Sequence, residues 1–377
     1  MTAQALINPK ILTWARERAG FSEGLLADKT KFKLEKVRAW ENGTDKPTFI
    51  QAQKLAHVTH TPFGYFFLSE PPREKLPIPD LRTVGSRAIR DVSPELRDIV
   101  NDVTLKQEWF KEYLKVQGED VLPFVGSFKL SDSINDVVDS IRKTLNVALP
   151  TKGRWEDYQT KLIQGAEAAR IMVMRSGVVA NNNNQKLSVN EVRGFAISDP
   201  LAPVVFINST DTPPARLFTL IHELAHIWIS SSGISDITNH HAKEESFCNQ
   251  VAGEFLVPRK EFKEAWDPQQ SLLTNLTSLA LTFHVSTLVV AKRALDLNAI
   301  TKDTYNQFYE ETVSALHKGK KSGGGNYYGT IKAKNGSLLS NAVITEALSG
   351  RLLLRDAGKL LNIQPSQMNI FASKLIP

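Results

Sequence analysis

The sequence holds a single cysteine, Cys248, in 377 residues. That excludes a disulfide framework and a thiolate metal cluster. It also fits a reducing, cytoplasmic compartment. Long apolar runs are missing: none approaches the ~20 residues of a membrane-spanning helix. The opening stretch, MTAQALINPKILTWARERAG, is interrupted by polar and charged residues and lacks the apolar centre of a secretory signal. No membrane partner is expected. What is present is 42% hydrophobic and 23% charged, the balance of a soluble chain with two or three domains. The net charge of +6 is uneven. Residues 1–54 carry ten Lys/Arg against six Asp/Glu and residues 317–377 nine against two, leaving an acidic middle. Basic ends predict a polyanion partner there; in the tail, a charge kept only for solubility would look the same.

The N-terminal end reads as short helices with tight polar turns. Pro9 to Arg18 is a first helix with Asn8 as a candidate cap. Ser22 caps Glu23 to Lys29, Lys33 to Glu41 is a third, and Asn42-Gly43 stops it. Pro47 opens a fourth around Phe49, Ala52 and Leu55, followed by the aromatic run Phe63 to Leu68. This is the spacing of a helix-turn-helix bundle. Ala15-x-x-x-Ala19-Gly20-x-Ser22, then Val37-x-x-Trp40-Glu41-Asn42-Gly43 and Pro47, resembles the Cro/C1-type (XRE) helix-turn-helix. The resemblance implies that the third helix enters the major groove of DNA. Its exposed positions would be Lys33, Glu35, Lys36 and Arg38, whose basic members suit phosphates or guanine edges. A bundle used only for protein contact remains open.

A proline-rich connector with Pro71, Pro72, Pro77 and Pro79 follows and runs extended. Amphipathic helices are predicted at 94–117, Asp132–Leu145 and Trp155–Ala169. The period then shifts to strands at Ile171–Met174, Gly194–Ile197 and Val204–Ile207, with the polar loop Asn181–Asn184 between the first two. Directly after them comes Leu220-Ile221-His222-Glu223-Leu224-Ala225-His226-Ile227-Trp228. His222 and His226 lie one helical turn apart on one face, where two imidazoles can grip one Zn²⁺. Glu223 sits beside that metal, placed to take a proton from water. Strands followed by such a helix suggest that an edge strand holds an extended substrate. The strand Val204, Val205, Phe206, Ile207 and Asn208 is the candidate edge.

A third protein ligand is needed, with a fourth position left for water. Glu245 and Asn249 share a helix face downstream. Glu245 can ligate zinc, and Asn249 can hold a ligating histidine by a hydrogen bond. His240, His241 and Glu244 are rival third ligands, imidazole suiting zinc equally well, and one of the two histidines could instead stabilise an oxyanion. Cys248 reads as a small buried residue, with a fourth, silencing ligand as the alternative. The strand Val204–Asn208, Phe218 through His226, Glu245-x-x-x-Asn249-x-x-Ala252 and Leu256-x-x-Pro258 together resemble the ImmA/IrrE family of bacterial and phage metallopeptidases. The family often has Phe-Ala and Met-Pro where this chain has Val251-Ala252 and Val257-Pro258, apolar swaps away from the site. The resemblance spans about residues 165–300.

Further helices are predicted at Leu272–Thr282 and Ser286–Leu295, a second helix-turn-helix-like unit read as packing rather than DNA contact, and at Asp303–Lys318. A basic hinge, Gly319 to Gly325, leads to short amphipathic helices at 338–348, 353–361 and 366–375. This last unit could bind DNA or a partner, or fold back on the cleft. The expected organisation is a helix-turn-helix domain (1–70), linker (71–90), helical region (91–165), zinc peptidase core (166–268), helical unit (269–318), and hinge with basic helical unit (319–377). The fold class is mainly α with a small sheet (α+β). The expected function is a zinc endopeptidase brought to its target by a DNA-binding domain. By resemblance, its substrate class is a helix-turn-helix repressor or antitoxin in prophage, stress or toxin–antitoxin control. The alternatives are a DNA-binding regulator whose zinc domain only senses or scaffolds, and an interaction module without metal. A homodimer is open.

Overall fold

A computed structural model describes residues 4–72, 93–150, 155–229, 237–317 and 326–375. The proline-rich connector and the basic hinge fall almost wholly outside these residues. The chain forms two compact units, Met1–Asn101 and Asp102–Pro377.

In the first unit, four short helices surround one core: α1 (Pro9–Arg18), α2 (Glu23–Thr30), α3 (Leu34–Glu41) and α4 (Phe49–Val58). Each start has a chemical reason. Asn8 accepts from the Lys10 amide, Ser22 from the Leu25 amide, and Thr48 and Gln51 form a reciprocal capping box. Lys31 takes the left-handed conformation (φ 57°) that ends α2 and turns the chain into α3. Leu12, Ala15, Leu26, Val37, Trp40, Leu55 and Phe66 form the core. Arg16 grips Glu41 through two bonds of 2.7 and 3.0 Å, tying α1 to α3. A 3₁₀ turn, Phe63–Phe67, closes the bundle, and the start of α5 (Pro94–Val116) belongs to the same unit.

The second unit is mostly helical around a three-stranded sheet. Helices α6 (Ile134–Leu145) and α7 (Trp155–Ala168) precede β1 (Met172–Ser176), β2 (Gly194–Ile197) and β3 (Val204–Asn208). Then come α8 (Pro213–Trp228), α9 (Ile237–Leu256), α10 (Arg259–Ala265), α11 (Leu272–Phe283), α12 (Thr287–Asp296) and α13 (Lys302–His317). The chain finishes with α14 (Tyr327–Asn335), α15 (Ser337–Leu348), α16 (Leu354–Leu361), a 3₁₀ turn at Pro365–Gln367, and α17 (Met368–Leu375). Thus the fold is α+β.

The strand order is β1-β3-β2, with β1 parallel and β2 antiparallel to β3. This corrects the expectation that Val204–Asn208 is an edge. β3 is the central strand, paired on both sides, and all five of its residues are buried. The physical reason is visible in its composition: a continuous apolar run is what a strand covered on both faces requires. The unpaired edge beside the helix α8 belongs to β2 instead. Val173, Val205 and Ile207 join Leu217, Leu220, Ile221 and Leu224 of α8 in one core with α6, α7, α9, α11 and α12. No single helix among the described residues is long and apolar enough to cross a membrane. The apolar pair α11 and α12 bends by 107° and buries Leu276, Leu279 and Val290 in this core.

Candidate metal centre

Helix α8 starts at Pro213-Pro214, where missing amide hydrogens cost nothing. Leu217, Leu220, Ile221, Leu224, Ala225, Ile227 and Trp228 are fully buried. The Trp228 indole donates to Ser140 Oγ at 3.0 Å and stacks on Phe124 at 4.5 Å, fixing the helix end. With that many apolar positions committed to the core, the helix's rotation is set. Its remaining stripe, Phe218, His222 and His226, turns toward α9, with the Phe218 ring 6.3 Å from the His222 ring. Helix α9 is set in the same way by Cys248, Val251, Ala252 and Phe255, all fully buried. Arg142 donates to the Phe255 carbonyl, and Arg293 donates to the Val257 carbonyl and pairs with Glu254.

Three donors converge between these helices. His222 Nε2 lies 3.1 Å from His226 Nε2 and 3.3 Å from Glu245 Oε2, and His226 Nε2 lies 3.4 Å from Glu245 Oε1. Ligands at 2.0–2.1 Å from a tetrahedral zinc stand about 3.3–3.4 Å from one another. The two imidazole nitrogens and the two carboxylate oxygens, each facing one imidazole, are therefore spaced as neighbouring ligands of one zinc are. Two imidazole nitrogens and a carboxylate are also the donor chemistry that zinc favours, and His222, His226 and Glu245 form the one group of metal-ligating geometry found among the described residues.

The far side of His226 is well furnished. Cys248 Sγ is 3.4 Å and Glu244 Oε1 3.7 Å from its Nδ1. Burial opposes a charge on this ring, but Cys248, Glu244 and Glu245 outweigh it and raise its pKa well above the usual value. A pocket that draws a proton onto buried imidazole draws a cation by the same field. Cys248, whose pKa is raised by burial, faces Nδ1 rather than Nε2, so its sulfur lies behind the histidine and not in the donor triangle. Asn249 is exposed, and the structure does not bring it to either histidine. His222 Nδ1 is buried without a hydrogen bond among the described residues. The side chains of His240 and His241 lie outside the described residues.

Glu223 is buried one step round α8, against β2. A Cβ added to Gly194 would stand 3.3 Å from Glu223 Cγ and 2.5 Å from Thr219 Cγ2. At the other end of the strand, Ser198 Oγ donates to the His226 carbonyl at 3.3 Å. Strand β2 therefore runs alongside α8 from Thr219 to His226, the stretch that holds the two candidate histidine ligands. Glu244, Cys248, Gly194 and Ser198 were not singled out for these places in the sequence reading. The available signal was the Glu244/Cys248 spacing, which repeats that of Glu245/Asn249.

In the first unit, Lys33, Glu35, Lys36 and Arg38 are all exposed on or beside α3. Lys33 is the N-cap, and Arg38 Nε donates to Glu23 Oε2 at 2.7 Å. No curated protein matches the chain. Residues 335–374 match a family model described as a domain of unknown function, DUF8813. Residues 168–295, which contain all three strands and the two helices that carry His222, His226 and Glu245, match the model of the IrrE N-terminal-like domain, Peptidase_M78, so the segment that builds this candidate centre is similar to a peptidase family that is generally zinc-dependent.

Proposed function

We propose that the chain is a zinc-dependent endopeptidase, with Zn²⁺ held by His222, His226 and Glu245. The observation that carries this reading is the convergence of His222 Nε2, His226 Nε2 and the Glu245 carboxylate, with contacts of 3.1, 3.3 and 3.4 Å. Bound zinc supplies Lewis-acid polarisation of the scissile carbonyl and lowers the pKa of the attacking water toward about 7. Glu223 takes the proton from that water and delivers it to the leaving amine. Its burial against Gly194 keeps the carboxylate beside β2 rather than in bulk solvent. The substrate adds to the outer edge of β2 as an extended strand, its backbone paired with Gly194–Ile197. The first unit directs the enzyme to DNA through Lys33, Lys36 and Arg38, with Glu35 disfavouring some sequences. The substrate class is a helix-turn-helix repressor or antitoxin-like protein in prophage, stress or toxin–antitoxin control, acting in the cytoplasm.

The test is co-expression of the chain with the product of the adjacent gene, comparing wild type with Glu223→Gln by mass spectrometry of fragments. Fragments with the wild type and none with Glu223→Gln, at equal zinc content, are expected. Undiminished cleavage by Glu223→Gln would falsify the mechanism. Full biological function without cleavage would favour a regulator whose zinc domain senses or scaffolds.

A further inference from the structure

The C-terminal helices repeat the turn of the first unit. Helix α2 has eight residues and ends at Lys31, left-handed at φ 57°; the next amide, of Phe32, bonds to the Ala27 carbonyl, and Lys33 begins α3. Helix α16 has eight residues and ends at Asn362, left-handed at φ 55°; the next amide, of Ile363, bonds to the Gly358 carbonyl, and Gln364 begins the 3₁₀ turn that leads into α17. The buried positions correspond as well. Leu26, Ala27, Thr30, Val37 and Trp40 in the first pair match Ala357, Gly358, Leu361, Met368 and Phe371 in the second, each the same number of residues downstream. Gly358 is required there, since a Cβ would stand 2.8 Å from the Ile363 carbonyl oxygen. Two helices joined by such a turn are the helix-turn-helix, whose second helix is built to enter a groove.

The pair α11–α12 has the same turn, at His284 (φ 55°), and shows what a structural use looks like. Its second helix buries Val289, Val290, Ala291, Arg293 and Ala294. In the C-terminal pair the second helix buries Met368, Phe371, Ala372 and Leu375 but leaves its opposite face exposed. Gln364, Ser366, Asn369, Ser373 and Lys374 are exposed. The positions equivalent to Lys33, Glu35, Lys36 and Arg38 are Gln364, Ser366, Gln367 and Asn369, the amide and hydroxyl types that read base edges. Residues 326–375 carry six Lys/Arg against two Asp/Glu. Both acids are already engaged, Glu346 by Arg351 and Asp356 by Arg355 and Lys359.

The unit does not cover the cleft. Gly336 abuts the Val173 carbonyl of β1, Ser337 donates to Glu167, and Asn181 donates to the Asn362 carbonyl at 2.7 Å. It is docked on the β1 side of the sheet, away from β2. Its turn is thereby held from behind, by the asparagine loop, while the second helix faces outward.

We propose that residues 326–375 are a DNA-binding module that lays α17 in the major groove of duplex DNA, with Arg355, Lys359 and Lys374 on phosphates. The inference does not depend on the peptidase reading. The test uses the full chain and a labelled pool of random-sequence duplex DNA, titrated by anisotropy across a salt series. Each phosphate contact contributes about 0.9 to the slope of log affinity against log salt. Changing Arg355, Lys359 and Lys374 together to Gln should lower that slope by about 2.7 units, and Lys33→Gln with Lys36→Gln should lower it separately and additively. Gln364→Ala with Asn369→Ala should leave the slope alone and change the sequences retained from the pool. An unchanged slope in the triple variant, or no binding by the unaltered chain at low salt, overturns the proposal. So does an unchanged slope accompanied by loss of self-association in light scattering, which would assign the exposed Leu353, Leu354 and Ile370 to a second copy of the chain.

Discussion

The two edges of the sheet are finished in opposite ways. At β1 the edge is covered: Gly336 packs on the Val173 carbonyl, and α14 and α15 lie against the strand. At β2 no strand pairs with the outer edge among the described residues, and the strand is only four residues long. Unpaired edges invite unwanted pairing, and covering or shortening them is the usual remedy. Here the chain covers one edge and only shortens the other, the one beside Glu223 and His226. An edge without a pairing strand among the described residues, next to candidate metal ligands, is what the proposed peptidase needs in order to admit an extended substrate.

The largest effects should come from the chemistry at the open edge. Glu223→Gln should reduce the cleavage rate by about 10²–10⁴-fold, the usual contribution of a positioned proton carrier. Thermal stability and bound zinc should stay close to wild type, because the amide keeps the shape of the carboxylate. A loss of zinc in step with activity would instead make Glu223 a ligand. Next in size is the support behind the metal-ligating residues. Glu244→Gln should weaken zinc binding about 10–100-fold, measured by chelator competition, since groups at the far nitrogen of a ligating histidine typically matter that much. Asn249→Ala should leave zinc affinity unchanged. The reverse pattern would restore Asn249 as the orienting group.

That pair of variants also shows what the sequence made legible. His222, Glu223 and His226 are read from spacing alone, because one helical turn between ligands is a property of any α-helix, whereas Glu245 stands beside His240 and His241 as a candidate third ligand. Which stripe of α9 turns inward is a different matter. Glu244/Cys248 and Glu245/Asn249 are neighbouring stripes about 100° apart, and both carry polar donors. The choice is made by Phe247, Val251 and Phe255 packing against α6 and α8, which is tertiary information. The strands show the same limit. Gly194–Ile197 is predicted at its observed bounds, yet strand order depends on pairing that no single strand encodes. The apolar run of β3 signals burial on both faces, and the four-residue β2, with only Phe195 buried, carries the edge signal. Helix α14 was missed because its apolar positions are sparse and Gly329 interrupts them.

A sharper comparison of the two edges uses one glycine at each. Gly194→Ala would place a Cβ 2.7 Å from the Phe206 carbonyl oxygen and 2.5 Å from Thr219 Cγ2. Strand β2 must then lift away from α8, at a cost of about 1–3 kcal/mol. Gly336→Ala, at φ 73° and ψ 159° and 3.0 Å from the Val173 carbonyl oxygen, should cost about 1–3 kcal/mol through a backbone conformation essentially confined to glycine and that contact. Both should lower the unfolding midpoint in urea. Only Gly194→Ala should also lower kcat/KM measured well below that midpoint. Equal losses of activity from the two would mean that β2 has no special relation to the substrate.

The smallest expected effect concerns how β2 is held without a covering element. Asp199, in the turn between β2 and β3, accepts from the Leu201 and Ala202 amides at 2.9 and 3.0 Å and from Lys111 at 2.5 Å. Burial alone would raise the Asp199 pKa, but the Lys111 hydrogen bond and the two amides outweigh it and the pKa is lowered. A carboxyl whose folded pKa lies below its unfolded value stabilises the fold above the ordinary carboxylate range. That contribution is lost as pH falls through the folded pKa. Acid should therefore loosen the β2–β3 turn, and Asp199→Asn should remove this part of the acid sensitivity while lowering stability at neutral pH. Hydrogen exchange of the β2 amides on mild acidification should rise before that of β1, whose edge is covered by α14 and α15. If the amides of β1 and β2 open together, the two edges share one cooperative unit, and the open edge is no looser than the covered one.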